Sequence, residues 1–163
     1  MSTFSWDTYF MGVALLSAKR SKDPSTQVGA VVVTPDKRII GVGWNGMPTT
    51  INSGSENDLV FPWGKESKDP LETKYMFVVH AEPNAIFHAS ESVRGCAMYL
   101  TWYPCCECAK TIAQAGISKL VYLHRNTSDR YLTSMLGADK IFQHSGVVCS
   151  QYAGDMADIT IKF

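Results

Sequence analysis

The chain has 163 residues and a mass of 18.0 kDa, which fits one domain on the usual scale of ~100–200 residues. Apolar residues make up 45% and charged residues 18% of it, a globular balance that excludes a disordered chain. Fifteen basic and fifteen acidic residues cancel. Proteins that bind long nucleic acids normally carry a basic excess, so we expect no nucleic acid polymer as a partner.

The elements are predicted in chain order from periodicity and from Pro and Gly positions. Helices are expected over 6–20, 80–91, 105–115 and 129–136, and strands over 28–33, 39–43, 98–101, 119–123 and 158–163. Residues 44–74 show no regular pattern. The first two strands predict a hairpin, whereas the later alternation of helices and strands predicts parallel pairing. The expected fold is α/β, a three-layer α/β/α sandwich with a central mixed sheet of about five strands, in a single domain over 1–163.

The N-terminus and the cysteines indicate the compartment. Residues 1–7 lack the basic start and apolar core of a signal peptide, and no apolar stretch reaches the ~20 residues that span a bilayer. We therefore expect a cytoplasmic protein, or one in the host cytoplasm if the source is viral, with no membrane partner. Three of the five cysteines lie within residues 105–108. In a reducing compartment such a cluster indicates metal binding or catalysis rather than disulfides.

Two short motifs carry the chemistry: His80-Ala81-Glu82, and Pro104-Cys105-Cys106-Glu107-Cys108. Cys105 and Cys108 are three residues apart and share one helix face. With His80 they give a zinc site three protein ligands, and the fourth tetrahedral position is left for water, as in catalytic zinc sites. Zinc lowers the pKa of such a water to ~7.

Glu82, two residues beyond His80, is the candidate catalytic acid and base. The pattern H-x-E…P-C-x-x-C resembles the signature of zinc nucleobase deaminases, in which the glutamate moves protons and does not bind the metal. A C-x-x-C pair alone also fits a structural zinc site or a redox pair. The histidine, the acid at +2 and the lack of a second ligand pair favour catalysis. Cys106 is interpreted as a bystander, and Cys96 and Cys149 as ordinary buried cysteines.

Around these motifs the chain resembles the deoxycytidylate (dCMP) deaminases of the cytidine deaminase superfamily, over about residues 8–125. The segments that carry the resemblance are YFM at 9–11, SAKRSKDP at 17–24, QVGA at 27–30, GWNGMP at 43–48, HAEPNAI at 80–86 and PCCECAK at 104–110. Beyond about residue 126 we expect the resemblance to fade. It implies hydrolytic deamination of dCMP to dUMP and ammonia, which feeds thymidylate synthesis.

The resemblance also implies substrate contacts. Asn45 resembles the asparagine that holds the sugar, although Asn-Gly is also a frequent turn dipeptide. Ala81 offers its backbone to the base, Val28 an apolar wall, and Trp102 and Tyr103 aromatic faces. For the 5′-phosphate the first candidate is Lys22, with Arg20 second and Ser21 as a hydroxyl donor, against the alternative of an ordinary solvated helix end.

The family is regulated, which implies activation by dCTP and inhibition by dTTP, with Mg²⁺ accompanying the triphosphates, in a homo-oligomer for which a hexamer is favoured. The loop from Gly43 to Gly54 resembles the effector region, with Gly43, Gly46 and Asn52 as candidate contacts. Some relatives carry a second zinc bound by a cysteine in that loop. This chain has Ser53 there, so we predict one zinc per chain.

Other functions share the zinc motif. A deaminase of bases within RNA or DNA would need a basic groove, and the absence of net charge counts against it. A free-nucleoside cytidine deaminase would not require the 5′-phosphate. A zinc module without catalysis would need Glu82 for folding alone.

Overall fold

The computed structural model describes residues 3–48 and 61–155. Within them five strands form one mixed sheet in the order β2-β1-β3-β4-β5, which confirms the predicted fold class. The strands are β1 Gly29–Val33, β2 Ile39–Trp44, β3 Ala97–Trp102, β4 Lys119–His124 and β5 Val148–Gln151. The helices are α1 Trp6–Ala18, α2 Ala81–Phe87, α3 Cys106–Ala115 and α4 Asp129–Ser145, with 3₁₀ turns at Pro70–Glu72 and Lys74–Met76.

The register of the sheet follows from its connections. β1 is antiparallel to both β2 and β3. β3, β4 and β5 run parallel, because α3 and α4 each return the chain to the same end of the sheet. The carboxyl ends of β3 and β4 therefore lie at one edge, where ligand sites of α/β sheets form.

Apolar side chains are buried on both faces of the sheet. On one face Phe10 and Met11 of α1 pack against Val31 and Tyr99. On the other face α2, α3 and α4 contribute the buried residues Ala85, Ile112, Met135, Ala138 and Phe142. This accounts for the run of apolar residues in β1, whose five positions are all buried.

The element bounds depart from the predictions at three places. α2 ends at Phe87, and α4 continues to Ser145 rather than to 136. It passes through Gly137, because Met135, Ala138 and Phe142 keep one face buried, and it ends at Gly146 in the left-handed conformation (φ 76°). β5 was not predicted, because its residues are exposed at the sheet edge and show no alternation. The strand predicted at 158–163 lies outside the described residues.

The backbones of α2 and β2 are in direct contact. A Cβ added at Gly43 would lie 2.3 Å from the Ala85 nitrogen and 2.4 Å from the Ala81 oxygen. One added at Gly41 would lie 2.3 Å from the Ala85 oxygen. Glycine at these positions permits the contact. None of the helices in the described part of the chain is long and apolar enough to cross a bilayer.

Candidate active site

The first candidate metal ligand of each motif is the N-cap of a helix. His80 precedes α2 in an extended conformation (φ −71°, ψ 163°), and Cys105 precedes α3 in nearly the same one (φ −72°, ψ 169°). A two-way backbone bridge, Gly46 N to Val79 O (3.0 Å) and Val79 N to Gly46 O (2.8 Å), fixes the approach to His80. The positive ends of both helices therefore point toward the same site and favour thiolates there.

His80, Cys105 and Cys108 converge, with their candidate ligand atoms all within 4.8 Å of one another. His80 Nδ1 lies 3.2 Å from Cys108 Sγ and 3.6 Å from Cys105 Sγ. One imidazole nitrogen and two sulfurs at this separation suit Zn²⁺, which prefers N and S ligands in a tetrahedron. Across the described ranges no second group of three or more such residues is found.

The protonation of this triad without a metal follows from its mutual contacts. The hydrogen bond to Cys105 raises the pKa of His80 to about 9. The hydrogen bond from Cys108 lowers the pKa of Cys105 to about 4. The same bond, together with burial, raises the pKa of Cys108. Near neutral pH the metal-free site therefore holds an imidazolium, one thiolate and one thiol.

Glu82 is buried in the first turn of α2, at 4% exposure. Burial raises the pKa of its carboxyl, and the nearby His80 opposes that rise. A carboxyl with a raised pKa accepts and returns protons more readily near neutral pH. Pro83 is accommodated in the first turn, as proline is at helix starts, without displacing Glu82.

A cavity of about 340 Å³ opens beside the triad and Glu82. Five residues predicted as substrate contacts line it: Val28, Asn45, Ala81, Trp102 and Tyr103. Tyr103 is held by its hydroxyl, which donates to Asp139 Oδ1 (2.5 Å), and by the Arg125 guanidinium 4.3 Å from its ring centre. The cavity thus joins the metal-ligand cluster, one buried acid and an aromatic wall.

Other parts of the wall were missed by the sequence analysis. The segment after β4 supplies Asn126, Tyr131, Ser134 and Met135, and the region before α2 supplies Lys65, Lys74, Tyr75 and Val78. Asp23 and Thr26 complete it. The helical pattern of α4 was the available signal, but nothing in the sequence shows which face of that helix meets the zinc motifs.

The structure places the three predicted phosphate contacts outside the cavity wall. Lys22 is exposed and is not among the residues that line the cavity. The Arg20 guanidinium lies 5.8 Å from the Trp44 ring centre and is also outside the cavity. Ser21 is buried, and its hydroxyl donates to the backbone oxygen of Asn45 (2.8 Å). Ser21 therefore contacts the backbone of Asn45 and is not part of the cavity wall.

The predicted effector contacts fall in three different places. Gly43 lies inside β2 against the backbone of α2, and this close packing explains why the position is a glycine. Gly46 is half-buried in the bridge to Val79. Asn52 lies outside the described residues, as does Ser53.

The other cysteines are separate from the metal-ligand cluster. Cys106 faces α4, since its Sγ lies 3.0 Å from where a Cβ at Gly137 would be. Cys96 is buried as predicted, but Cys149 is exposed on β5, so the prediction of a buried Cys149 was wrong. An edge strand leaves side chains without a covering layer.

Known proteins are similar to this chain in sequence and in architecture. A family model described as the cytidine and deoxycytidylate deaminase zinc-binding region matches residues 4–124. The deoxycytidylate deaminases of Mus musculus and Homo sapiens are each 44% identical over 161 residues, covering 97% of this chain and 85% of theirs. The family model ends near residue 126, where we expected the resemblance to fade, whereas the alignments with these two relatives continue beyond it.

A solved structure agrees in fold. The dCMP deaminase of cyanophage S-TIM5, in complex with dCMP and dUMP, superposes with a TM-score of 0.68 at 28% identity, covering 93% of this chain and 100% of that one. The match of the family model, the identity over nearly the whole length and the shared sheet agree with the converging His80, Cys105 and Cys108. The chain belongs to the cytidine and deoxycytidylate deaminase family.

Proposed function

We propose that this protein is a zinc-dependent dCMP deaminase, which converts dCMP and water to dUMP and ammonia. The observation that carries the proposal is the buried Glu82 in the wall of a cavity that also contains His80 and Cys105. The relatives named above as deoxycytidylate deaminases, and the phage enzyme in complex with dCMP and dUMP, support the same substrate.

The residues fit one zinc ion, held by His80 Nδ1 and by Sγ of Cys105 and Cys108. When bound, zinc acidifies a water and makes it nucleophilic near neutral pH. Glu82 carries out the proton transfers of the reaction. Its carboxylate takes a proton from the attacking water and delivers it to N3 of the cytosine as the C4–O bond forms. It then moves the second proton to the amine nitrogen, the C4–N4 bond breaks, and ammonia leaves.

The walls orient the base and exclude water from it. Ala81 directly precedes Glu82, so a base whose edge meets the Ala81 backbone also presents its ring to the acid. Val28 and Trp102 supply apolar surface on which a pyrimidine packs. Tyr103, clamped by Asp139 and Arg125, offers a wall that does not need to be ordered when substrate binds.

One assay compares the candidate functions directly. Ammonia release is measured from dCMP, deoxycytidine, cytidine, dCTP and a cytosine-containing oligonucleotide under the same conditions. The proposal requires dCMP to have the highest kcat/KM. Preference for the nucleosides would indicate a nucleoside deaminase, preference for the oligonucleotide a polymer deaminase, and no release from any substrate a zinc module without catalysis.

The 5′-phosphate is proposed to meet Lys65, which replaces Lys22 as the candidate. Lys65 is the exposed basic residue in the cavity wall, whereas Lys74, the other lysine there, is buried and paired with Asp23. Lys65→Ala is expected to lower kcat/KM for dCMP about tenfold, a typical loss for one charge-assisted contact, without lowering trace activity on deoxycytidine.

Lys22→Ala is the matched control for Lys65→Ala, because both remove an exposed lysine but only Lys65 lines the cavity. Initial rates with both substrates are measured for both variants. A larger loss of dCMP activity in Lys22→Ala than in Lys65→Ala would contradict the reassignment.

Regulation by nucleoside triphosphates is proposed for the segment 43–54, with Mg²⁺ bound to the triphosphates. Gly46 is bridged to Val79, the residue before His80, and Asn45 lines the cavity. A ligand that displaces Asn45 or Gly46 would therefore act directly on the site. We expect dTTP to raise the apparent KM for dCMP, dCTP to lower it, and the rate to be sigmoidal in dCMP without dCTP.

The free energy that couples two such sites is typically 1–3 kcal/mol, so changes in apparent KM of about 5- to 150-fold are expected. Initial rates over a range of dCMP, with Mg²⁺ and each triphosphate in turn, measure it. Hyperbolic curves that neither triphosphate moves would contradict the proposed regulation.

A homohexamer is proposed as the assembly, because the apolar side chains of Phe4, Trp6, Tyr9 and Leu16 are exposed on and near α1. Sedimentation measures the mass of the assembly. We also propose that the protein is cytoplasmic.

A further inference from the structure

A buried ion pair lies in the cavity wall, apart from the metal ligands and Glu82. Lys74 Nζ donates to Asp23 Oδ2, and the two side chains are only 7% and 1% exposed. Both residues line the cavity. A buried pair adds little net stability compared with apolar side chains of the same size. Its place beside the site therefore suggests a role in the geometry of its neighbours.

The carboxylate of Asp23 is fully engaged. Its Oδ1 accepts from the backbone nitrogens of Ser25 (2.8 Å) and Thr26 (3.2 Å). Its Oδ2 accepts from Lys74 Nζ and from Asn45 Nδ2 (3.1 Å). An ionised carboxylate accepts hydrogen bonds and cannot donate them. Asp23 thus presents only acceptors to the side-chain amide of Asn45.

The amide of Asn45 has one allowed orientation. Its Nδ2 donates to Asp23 Oδ2 and to the Thr26 backbone oxygen (2.9 Å), and its Oδ1 accepts from the Val28 backbone nitrogen (2.8 Å). A 180° rotation would set Oδ1 against two acceptors and Nδ2 against an N–H. Both amide protons are used, so the free capacity of this side chain is one lone pair on Oδ1.

We propose that the Lys74–Asp23 ion pair is a positioning element that makes Asn45 an acceptor-only contact in the cavity. The ligand group that meets Asn45 must then donate a hydrogen bond. The inference rests on the proposed function: in dCMP the 3′-hydroxyl is the hydrogen-bond donor that the deoxyribose offers, so it is the group assigned to Asn45. Lys74 and Asp23 act through Asn45 and select the substrate without touching the reacting atoms.

The first test uses the wild-type protein and three analogues of dCMP that differ at C3′. A 3′-amino group donates hydrogen bonds, 3′-fluorine only accepts weakly, and 3′-hydrogen does neither. Loss of a hydrogen bond to a buried acceptor typically costs about tenfold or more. We expect kcat/KM to stay near that of dCMP with the 3′-amino analogue, and to fall by about tenfold or more with the other two.

The second test asks whether the ion pair sets this preference. Asp23→Asn preserves shape but no longer guarantees an acceptor for Asn45 Nδ2, which leaves only the Thr26 oxygen and the Val28 nitrogen to orient that amide. The ratio of kcat/KM for dCMP to that for the 3′-hydrogen analogue should therefore fall. The double variant Asp23→Asn/Lys74→Met, which leaves no unpaired buried charge, should show the same fall. Lys74→Arg should keep the ratio. Lys65→Met, which removes the other lysine of the wall, should also keep it whatever its overall rate.

The outcomes separate the inference from the proposed function. Turnover of dCMP by the wild type with equal kcat/KM for all C3′ analogues overturns the inference and leaves the function standing. An unchanged ratio in both Asp23 variants overturns the role of the ion pair. If the wild type releases no ammonia from dCMP, the proposed function fails. Calorimetric binding of dCMP and the three analogues to the same chain then decides whether Asn45 requires a donor.

Discussion

Glu82→Gln is expected to lower kcat for dCMP by at least ~10²–10⁴-fold, the usual contribution of a general acid–base group. The amide keeps the size of the side chain but cannot carry a proton from water to N3 and then to the leaving amine. Because one carboxylate serves both transfers, the loss should lie at the upper end of that range or beyond it. Steady-state rates on protein with measured zinc content test this.

Glu107→Gln is the matched control for Glu82→Gln. Glu107 is also a glutamate in a first helical turn beside the motif, but it is exposed and paired with Lys110. Its variant should turn over dCMP at a rate near that of the wild type. Glu82→Gln should retain zinc, and its melting temperature should not fall, because burial disfavours the charged carboxylate that the substitution removes. Near-normal turnover by a zinc-loaded Glu82→Gln would contradict the mechanism.

His80→Ala, Cys105→Ala and Cys108→Ala are each expected to leave well under one zinc per chain after dialysis and to abolish turnover. Each removes one of the three donors that lie within 4.8 Å of one another. Metal analysis and the melting temperature measure the effect, since zinc stabilises only the folded chain that binds it. Cys106→Ala is the control, because its sulfur faces α4, and it should keep one zinc per chain.

Zinc affinity should also depend on pH. At neutral pH the metal-free site holds a protonated His80, whose pKa is about 9, and a protonated Cys108, whose pKa is raised. Zinc requires the neutral imidazole and both thiolates, so binding releases protons. The apparent affinity of the protein for zinc should therefore fall as the pH falls and rise toward pH 9.

A full complement of zinc in all three variants, His80→Ala, Cys105→Ala and Cys108→Ala, would exclude this cluster as the metal site.

The zinc motifs could be identified from the sequence because the residues within each motif are close together along the chain. Cys105 and Cys108 lie one helical turn apart, and Glu82 follows His80 on the same helix, so secondary structure alone places each pair. Strands β1 to β4 were predicted for a similar reason, since each of these runs is bounded by turn residues, whereas the exposed β5 was not predicted. These local signals identified the part of the cavity wall that contains His80, Glu82 and Cys105.

The remainder of the cavity depends on tertiary packing. Lys74 and Asp23 are 51 positions apart and meet only in the folded chain. Tyr131 and Met135 line the wall because α4 packs beside α3, which no local pattern reveals. Lys22 was chosen for its charge and its place in a motif, but its backbone directs it to the surface while its neighbour Asp23 is buried.

The contact between α2 and the glycines of β2 has a consequence for tolerance to mutation. Where side chains form an interface, a misfit is absorbed by new rotamers. A contact between two backbones cannot adjust in this way, so a methyl group added at Gly43 would displace the whole of α2. His80 and Glu82 would move with it, while Cys105, on α3, would stay in place. The spacing between the proton-carrying acid and the sulfur ligands is thus set by two positions that carry no side chain, neither of which takes part in the chemistry.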